Sequence, residues 1–322
     1  GPLIDELGQS TLHDWPTMSR SSQEVTARLQ AQLAQAPAQR WPDGYSRWGG
    51  WARRRMEGTG FFRTHHDGRR WWLIDPDGHL FWSAGMDCVR VNTEAAYAGL
   101  ETALAWRPDP HGTYEEVYSR DEARHGEAIN YLAANLIRAF GRRKWRARWG
   151  EIALAELRRL GFNTVGNWSV WPLASEAGFP YVRPLEPRFR NTSLVFRDFP
   201  DVFDPAFTED VALYAAQLRE TANDPAMVGY FLMNEPTWGF ARETPAAGML
   251  FNTPACASRR ALAEFLQTRY GSDSRLSAAW GMDATLAAVA EGTWSTPLTP
   301  AAESDLASFS AVMTERLFGT LS

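Results

Sequence analysis

The sequence predicts an α/β fold of parallel strand–helix units, preceded by an N-terminal lead-in and a small antiparallel meander. Short apolar runs alternate with amphipathic helical stretches, a rhythm that is typical of parallel βα units. Asp-Gly pairs between strand-like runs predict the tight turns of the meander, because both residues tolerate a positive φ. With 322 residues, the chain has room for one large α/β barrel or two medium domains.

Composition narrows the class of function. An apolar fraction of 44% predicts a folded core, and the net charge of −5 offers no basic surface for nucleic acid. No run approaches the roughly 18 consecutive apolar residues that a membrane span needs. Cys88 and Cys256 are expected to be buried free thiols. The opening "GPLIDELGQS" has no signal-peptide pattern, but its Gly-Pro resembles a scar of tag removal, which leaves the localisation open.

Residues 1–59 are predicted to form a lead-in segment with a single helix. The stretch at 21–36 has apolar residues at helical spacing, and Ser21 or Ser22 can cap its first turn. The basic run at 52–58 is interpreted as a solvated loop or short helix rather than as a binding patch.

The main domain is predicted over residues 60–322 and opens with a β-meander at 60–82. Four strands are expected between about residues 81 and 235, and helices are expected over 241–322. The first strand, 81–91, is apolar on both faces, as in a strand buried inside a barrel. The other predicted elements are, in order, a loop region with helical pieces at 93–143, a helix at 144–161 ending at Gly161, strands at 162–169 and 181–189, a helix at 204–224 beginning at Asp204, a strand at 227–235, and helices at 254–271 and 303–322.

Polar and aromatic residues follow three of the predicted strands at their carboxyl ends. In a βα barrel, chemistry takes place at these ends of the strands. The candidate site residues are Asp87, Arg90 and Asn92 after the first strand, Asn167, Trp168 and Trp171 after the second, and Asn234, Glu235 and Trp238 after the fourth.

Glu235 is the strongest catalytic candidate among these residues. A carboxylate walled by aromatic side chains is desolvated, and desolvation favours the protonated form that can donate a proton to a glycosidic oxygen. Asn234 can hydrogen-bond a sugar hydroxyl, and Trp238 can stack on a sugar ring. The simpler alternative is that Asn-Glu-Pro only ends a strand and begins a turn, and that most of the 15 tryptophans belong to the core.

Several linked motifs resemble those of clan A glycoside hydrolases. "GYFLMNEPTW" is similar to their fourth-strand motif, in which Asn-Glu supplies the general acid/base. "RRWWLIDPDGHLFWSAGMD", "DELGQ…HDWP" and "LGFNTVGNWS" resemble regions of the β-agarase-like members, family 50 and its relatives near family 42. The resemblance implies a (β/α)₈ (TIM) barrel, a carbohydrate substrate, no metal or cofactor, and retaining hydrolysis of a β-glycosidic bond. Met233 stands where agarases of this type often carry an acidic or amide residue, so agarose itself is not implied, and the bond in the oligo- or polysaccharide is expected to be β-galactosidic or β-glucosidic.

A retaining glycosidase also needs a second carboxylate, which acts as the nucleophile. None of the later glutamates ends an apolar strand, and these are Glu243, Glu264, Glu291, Glu303 and Glu315. A full barrel takes about 250 residues, so this chain is expected to hold the first half, with the nucleophile beyond residue 322 or in another chain. Two alternatives to the hydrolase stay open, a carbohydrate-binding pseudo-enzyme without a nucleophile and a transglycosylase.

Overall fold

The computed structural model describes residues 1–121, 126–187 and 189–322. The chain divides into two compact units, which comprise residues 1–183 with 224–229, and residues 184–223 with 230–322. Each unit is described by itself. The domain boundary predicted between residues 59 and 60 stays a prediction.

The lead-in contains the predicted helix. Helix α1 runs over Ser22–Gln35, and the Ser21 side chain accepts a hydrogen bond from the backbone N–H of Glu24. This cap satisfies one of the free N–H groups of the first turn. The prediction of a capped helix at 21–36 is therefore confirmed.

The meander is a sheet of antiparallel strands, as predicted. Strands β1 (Trp51–Arg55), β2 (Arg63–His66), β3 (Trp71–Ile74) and β4 (His79–Phe81) lie in the order β1-β4-β3-β2. The interpretation of residues 52–58 as a loop or short helix is wrong for β1, which is an exposed edge strand paired with β4. The arginine side chains of β1 are exposed to solvent, while its backbone pairs with β4. The polarity of the sequence alone does not predict a strand with exposed arginines.

The first barrel-type strand differs from the prediction. Strand β5 contains only Gly85 and Met86, and both residues are exposed. The prediction of a buried strand at 81–91 is therefore wrong in length and in burial. The residues around β5 are covered unevenly, because Phe81 is buried and Val89 packs against the core that contains Tyr181.

The two thiols also differ from the prediction. Both cysteines are free, but Cys88 is exposed and Cys256 is half-buried. Burial raises the pKa of the Cys256 thiol to about 11. The expectation of two buried thiols was wrong for Cys88, because the strand before it is exposed.

The long region at 93–143 is more regular than predicted. Strands β6 (Glu94–Ala96), β7 (Tyr118–Asp121) and β8 (Gly126–Asn130) form an antiparallel sheet in the order β6-β8-β7, and helix α2 covers Tyr131–Phe140. Short 3₁₀ turns lie between β6 and β7. The prediction of a loop with helical pieces missed this sheet, because charged residues in its strands hide the alternation. Residues 122–125 of this region lie outside the described residues.

The predicted strand–helix rhythm follows. Helix α3 (Trp145–Leu160) ends at Gly161, which is left-handed as a C-cap glycine should be. Strand β9 (Thr164–Val165), helix α4 (Trp171–Glu176) and strand β10 (Tyr181–Pro184) come next. The strands predicted at 162–169 and 181–189 are confirmed in place but are shorter, and residue 188 lies outside the described part.

The chain then forms a hairpin and returns to the main sheet. The hairpin contains β11 (Leu194–Phe196) and β12 (Phe199–Pro200), and helix α5 (Pro205–Ala215) is capped by the Asp204 side chain. Strand β13 covers Met227–Phe231. The helix predicted at 204–224 begins where expected, but its last part is a 3₁₀ turn.

The predicted helical region at 241–322 is confirmed. It contains α6 (Pro245–Asn252), α7 (Ala257–Tyr270), α8 (Asp273–Trp280), α9 (Leu286–Ala290) and α10 (Pro300–Leu321). These helices enclose a large apolar core that includes Met249, Leu262, Trp280 and Phe309. Arg259 of α7 is fully buried beside this core.

The main sheet has the strand order β5-β9-β10-β13 in the described residues. The pairs β5–β9 and β9–β10 are parallel. Consecutive parallel strands linked by helices confirm the predicted α/β class. No helix in the described ranges is both long and apolar enough to cross a membrane.

Candidate functional site

The chain segments that follow β5 and β9 run side by side in the first unit. The N–H of Gly166 donates to the Met86 carbonyl at 2.8 Å, and the N–H of Cys88 donates to the Asn167 carbonyl at 2.9 Å. The N–H of Asn167 donates to the Asp87 carboxylate at 2.7 Å. The structure therefore brings Asp87 and Asn167 together, as two of the predicted site residues.

Glycine is required at position 166 by this close approach. A Cβ on Gly166 would lie 2.0 Å from the Asp87 carboxylate oxygen. Any side chain there would displace the Asp87 carboxylate from its hydrogen bond to the Asn167 N–H. Gly166 is thus part of the geometry that places Asp87.

Asn167 carries a buried amide without a hydrogen-bond partner among the described residues. The residue is 5% exposed, and neither its Oδ1 nor its Nδ2 has a partner there. A buried amide is costly unless a ligand, a water or another side chain satisfies it. Asn167 therefore has the donor and the acceptor free for a hydroxyl-rich ligand.

Trp168 follows Asn167 in a left-handed backbone conformation, with φ = 56°. Its side chain is 41% exposed. Left-handed non-glycine residues cost free energy and are concentrated at functional sites. The indole is thus partly exposed shortly after the second strand of the main sheet.

Arg90 and Asn92 form a second group in the first unit. When the Asn92 amide is turned so that its oxygen faces Arg90, the oxygen accepts from the Arg90 guanidinium at 3.2 Å and the nitrogen donates to Glu94 at 2.8 Å. Both residues are exposed and are tied to the start of β6. Whether they line a substrate site stays a prediction.

Trp171 is packed more closely than the other predicted platforms. Its ring stacks on Tyr181 at 5.7 Å between centroids, and the Arg183 guanidinium lies 4.6 Å from its ring centroid. It is half-buried against the core that contains Tyr181. The packing gives Trp171 a structural role, and its role as a sugar platform stays a prediction.

Asn234 and Glu235 lie in the second unit, in the segment that follows β13. The strand predicted at 227–235 ends at Phe231 and is half-buried rather than buried. Asn234 and Glu235 are both exposed, so the expectation of a Glu235 carboxylate desolvated by aromatic side chains is wrong for the described residues. Glu235 is left-handed, with φ = 41°.

The same local geometry occurs after three strands of the main sheet. Cys88, Trp168 and Glu235 each have a positive φ, and each directly follows a polar residue. Such conformations are strained for non-glycine residues. Arg197, in the turn between β11 and β12, also has a positive φ, so a functional role of the three strand-end positions stays a prediction.

The Asp198 carboxylate accepts hydrogen bonds from the segment after Glu235. Asp198 was not among the candidate residues predicted from the sequence. Its carboxylate accepts from the N–H and Oγ1 of Thr237 at 2.8 and 2.6 Å, and from the N–H of Trp238 at 3.0 Å. Arg197 donates to the Thr237 carbonyl at 3.0 Å. Trp238 in turn packs edge-on against Phe199 at 5.1 Å. No sequence motif marks Asp198, because its partners lie about 40 residues away in the chain.

The charge of Asp198 is favoured by these contacts. Partial burial alone would raise its pKa, but the hydrogen bonds from Thr237 and Trp238 lower the pKa below the ordinary value. A carboxyl group with a lowered folded-state pKa stabilises the fold above its unfolded-state pKa, and this stabilisation is lost as the pH falls through the folded-state pKa. The stabilisation of the Thr237–Trp238 backbone by Asp198 should therefore be present at neutral pH and be lost in acid.

Replacing Asp198 by Ala should loosen the 236–240 segment. Two backbone N–H groups lose a charged acceptor, and one such bond contributes about 1.5 kcal/mol or more. Amide hydrogen exchange at Thr237 and Trp238 should accelerate about tenfold at pH 7. Glu209→Ala, at an exposed position of α5, is the control and should leave the exchange of both amides unchanged. Equal protection in Asp198→Ala would refute this role.

The chain has an α/β fold and is related at low sequence identity to agarase glycoside hydrolases. The chain is 27% identical to β-agarase B of Vibrio sp. (strain JT0107) over 321 residues, which cover 87% of this chain and 34% of that protein. It is 28% identical to β-agarase A of the same strain over 247 residues, which cover 66% of this chain and 24% of that protein. The predicted resemblance to β-agarase-like proteins is confirmed.

Solved structures support the fold. The crystal structure of an agarase matches 99% of this chain and 51% of its own, with a TM-score of 0.85 and 24% identity. An exo-β-agarase matches 99% of this chain and 52% of its own, with a TM-score of 0.84 and 23% identity. The chain thus spans about half the length of these structures and about a third of β-agarase B. No protein-family model matches the chain.

In the described part of the chain, no group of three or more His, Cys, Asp or Glu side chains is arranged to hold a metal ion. The absence of a metal site and of a cofactor from the whole protein stays a prediction.

Proposed function

We propose that this chain contributes the acid/base part of a retaining β-glycoside hydrolase that acts on a β-linked galactan of the agarose type. The observation that carries the proposal is Asn234-Glu235, exposed in a strained segment after a strand of a parallel sheet, in a chain similar to β-agarases. The sheet β5-β9-β10-β13 is proposed to be the first half of a (β/α)₈ barrel. Residues 1–59 would then be its lead-in and residues 60–322 its first part.

Glu235 would act twice in the double displacement. It protonates the glycosidic oxygen as the bond to the leaving group breaks, and it later takes a proton from the water that attacks the glycosyl-enzyme. Asn234 would hold the sugar 2-hydroxyl, a contact that strengthens in the oxocarbenium-like transition state. Asp198 supports this role indirectly, because it fixes the segment that carries Trp238.

The first-unit residues would bind sugar rings. Asn167 can both donate to and accept from hydroxyl groups, and the exposed Trp168 offers an apolar face to the C–H side of a ring. Asp87 is held beside Asn167 and can accept from a hydroxyl. Arg90, Asn92 and Trp171 are further candidates for substrate contact.

The nucleophile is proposed to come from residues that are not among these 322. A retaining enzyme places its second carboxylate about 5–5.5 Å from the first. The agarase structures are about twice as long as their match to this chain. The 322-residue chain alone is therefore expected to bind saccharide without hydrolysing it.

The test uses the protein translated from the whole reading frame. It should release reducing ends from agarose, and the proton NMR spectrum of the first product should show retained β-configuration. Binding without any release would favour the carbohydrate-binding pseudo-enzyme and contradict the proposal. Products elongated by added acceptor sugars in place of hydrolysis would identify a transglycosylase, and α-configured first products would exclude double displacement.

A further inference from the structure

The first unit contains a cleft at the end of the sheet opposite to Asp87 and Asn167. It has a volume of about 350 Å³. Ala84 and Asn163, which line it, directly precede β5 and β9, whereas Asp87 and Asn167 follow those strands. The cleft is therefore distinct from the predicted strand-end site. Its other principal lining residues are Asp43, Tyr45, Trp51, Arg53 and Trp82.

The floor of this cleft is rigid. The Asn163 amide nitrogen donates to the carbonyls of Gly49 at 2.7 Å and of Trp82 at 3.0 Å. Its amide oxygen accepts from the N–H of Ala84 at 2.9 Å. A Cβ on Gly49 would lie 2.5 Å from the Asn163 Cβ, and Gly49 has φ = 83°. One buried amide thus joins the loop before β1 to the segment after β4, so the cleft exists before a ligand enters.

Two exposed tryptophans lie at this cleft. Trp51 pairs with Leu80 of β4, Trp82 directly follows β4, and both tryptophans line the cleft. Trp82 is 70% exposed. Its ring is braced by Trp72, which meets it edge-on at 6.4 Å between centroids. A braced indole in solvent beside a preformed cleft is typical of a ligand-binding groove.

The residues that line the cleft indicate which class of ligand it can bind. Asp43 and Arg53 contribute one charge of each sign, so the cleft favours neither an anion nor a cation. The Tyr45 hydroxyl, 3.2 Å from the Gly161 carbonyl, adds a polar group at the rim. Indole faces with a few polar groups match the C–H faces and hydroxyls of sugar rings.

We propose that this cleft is a non-catalytic binding site for a neutral saccharide chain, with Trp82 as its main platform. The identity of the saccharide as a β-linked galactan rests on the proposed function, but binding in the cleft does not require turnover. Such a site would hold a polymer on the protein at a place separate from the strand-end residues.

The test is calorimetric titration of the 322-residue chain with purified agaro-hexasaccharide. Every variant also carries Trp168→Ala, so that the strand-end site does not dominate the signal. Trp82→Ala should weaken binding about tenfold or more, because it removes a stacking surface. Trp71→Ala is the matched control, because Trp71 is 69% exposed but lies on the other face of β3 from Trp72. The Trp71→Ala variant should bind the hexasaccharide as tightly as the Trp168→Ala parent.

Three results would overturn the inference: no binding by the parent, equal binding in Trp82→Ala, or equal losses in Trp82→Ala and Trp71→Ala. Asp43→Ala provides a second variant if Trp82→Ala fails to fold, and it should also weaken binding. The proposed function is tested separately, by hydrolysis of an aryl β-galactoside in the whole-frame protein. Trp82→Ala should change the rate of aryl β-galactoside hydrolysis by less than about twofold. A loss of saccharide binding with an unchanged hydrolysis rate would show that the cleft binds saccharide separately from the catalytic site.

Discussion

Replacing Glu235 by Gln should lower kcat/KM on agarose by about 10²–10⁴-fold in the whole-frame protein, the usual contribution of a positioned general acid/base. Gln keeps the size of the side chain and can still hydrogen-bond, but it can neither give nor take the proton. Glu235 is exposed, so the substitution leaves no unpaired charge in the core. Stability should therefore change by less than about 0.5 kcal/mol.

The loss should depend on the leaving group. With a dinitrophenyl β-galactoside, the first step needs little proton donation, so its rate should fall much less than the rate on agarose. Glu243→Gln is the matched control, because Glu243 is exposed in the same unit and has no proposed role. A similar loss in both variants, or wild-type rates in Glu235→Gln, would remove Glu235 from the mechanism.

Replacing Arg259 by Leu should destabilise the second unit by about 3–5 kcal/mol, as expected when the charged partner of a buried polar network is removed. Arg259 is fully buried. Its guanidinium donates to the carbonyls of Val289, Thr253, Pro254 and Ala288 at 2.6–3.0 Å, and to that of Gly292. Burial lowers the pKa of Arg259, but arginine stays charged in proteins.

The cost arises from the carbonyls that lose their donor. Leu fills part of the volume but leaves these buried acceptors unpaired, and each unpaired group costs about 1–3 kcal/mol unless water reaches it. Urea unfolding followed by tryptophan fluorescence measures the change. Arg260→Leu is the control, because the Arg260 side chain is exposed. This substitution should change the free energy of unfolding by less than about 0.5 kcal/mol. Equal midpoints for the two variants would show that the network contributes nothing.

Long periodic segments were predictable from the sequence, and short strands were not. Helices such as α1 and α3 carry their own caps and apolar spacing, so local signals define their ends. Strand β5 has two residues, and its position depends on hydrogen bonds to β9. The charged sequence of β1 was interpreted as a loop or short helix, because its strand conformation depends on pairing with β4. Elements of this kind are decided by tertiary contacts rather than by local propensity.

The candidate site shows the same division. Asn234 and Glu235 stand in one contiguous motif, so sequence reasoning finds them directly. The contact of Asp87 with Asn167 was expected only in general terms, from the rule that strand ends meet at one edge. Asp198 and Arg259 were invisible, because each acts through partners that are distant in the chain. Their residue types alone do not separate them from exposed Asp and Arg residues.

The central claim, that Glu235 is the acid/base, is tested most directly by the product that Glu235→Gln forms from a dinitrophenyl β-galactoside in azide. In this variant the nucleophile can still form the glycosyl-enzyme, but no base activates water. Azide needs no base, attacks the anomeric carbon and displaces the enzyme carboxylate. The account predicts faster turnover in azide and a β-galactosyl azide product. An α-galactosyl azide would make Glu235 the nucleophile, and wild-type turnover with no azide product would show that Glu235 is not catalytic.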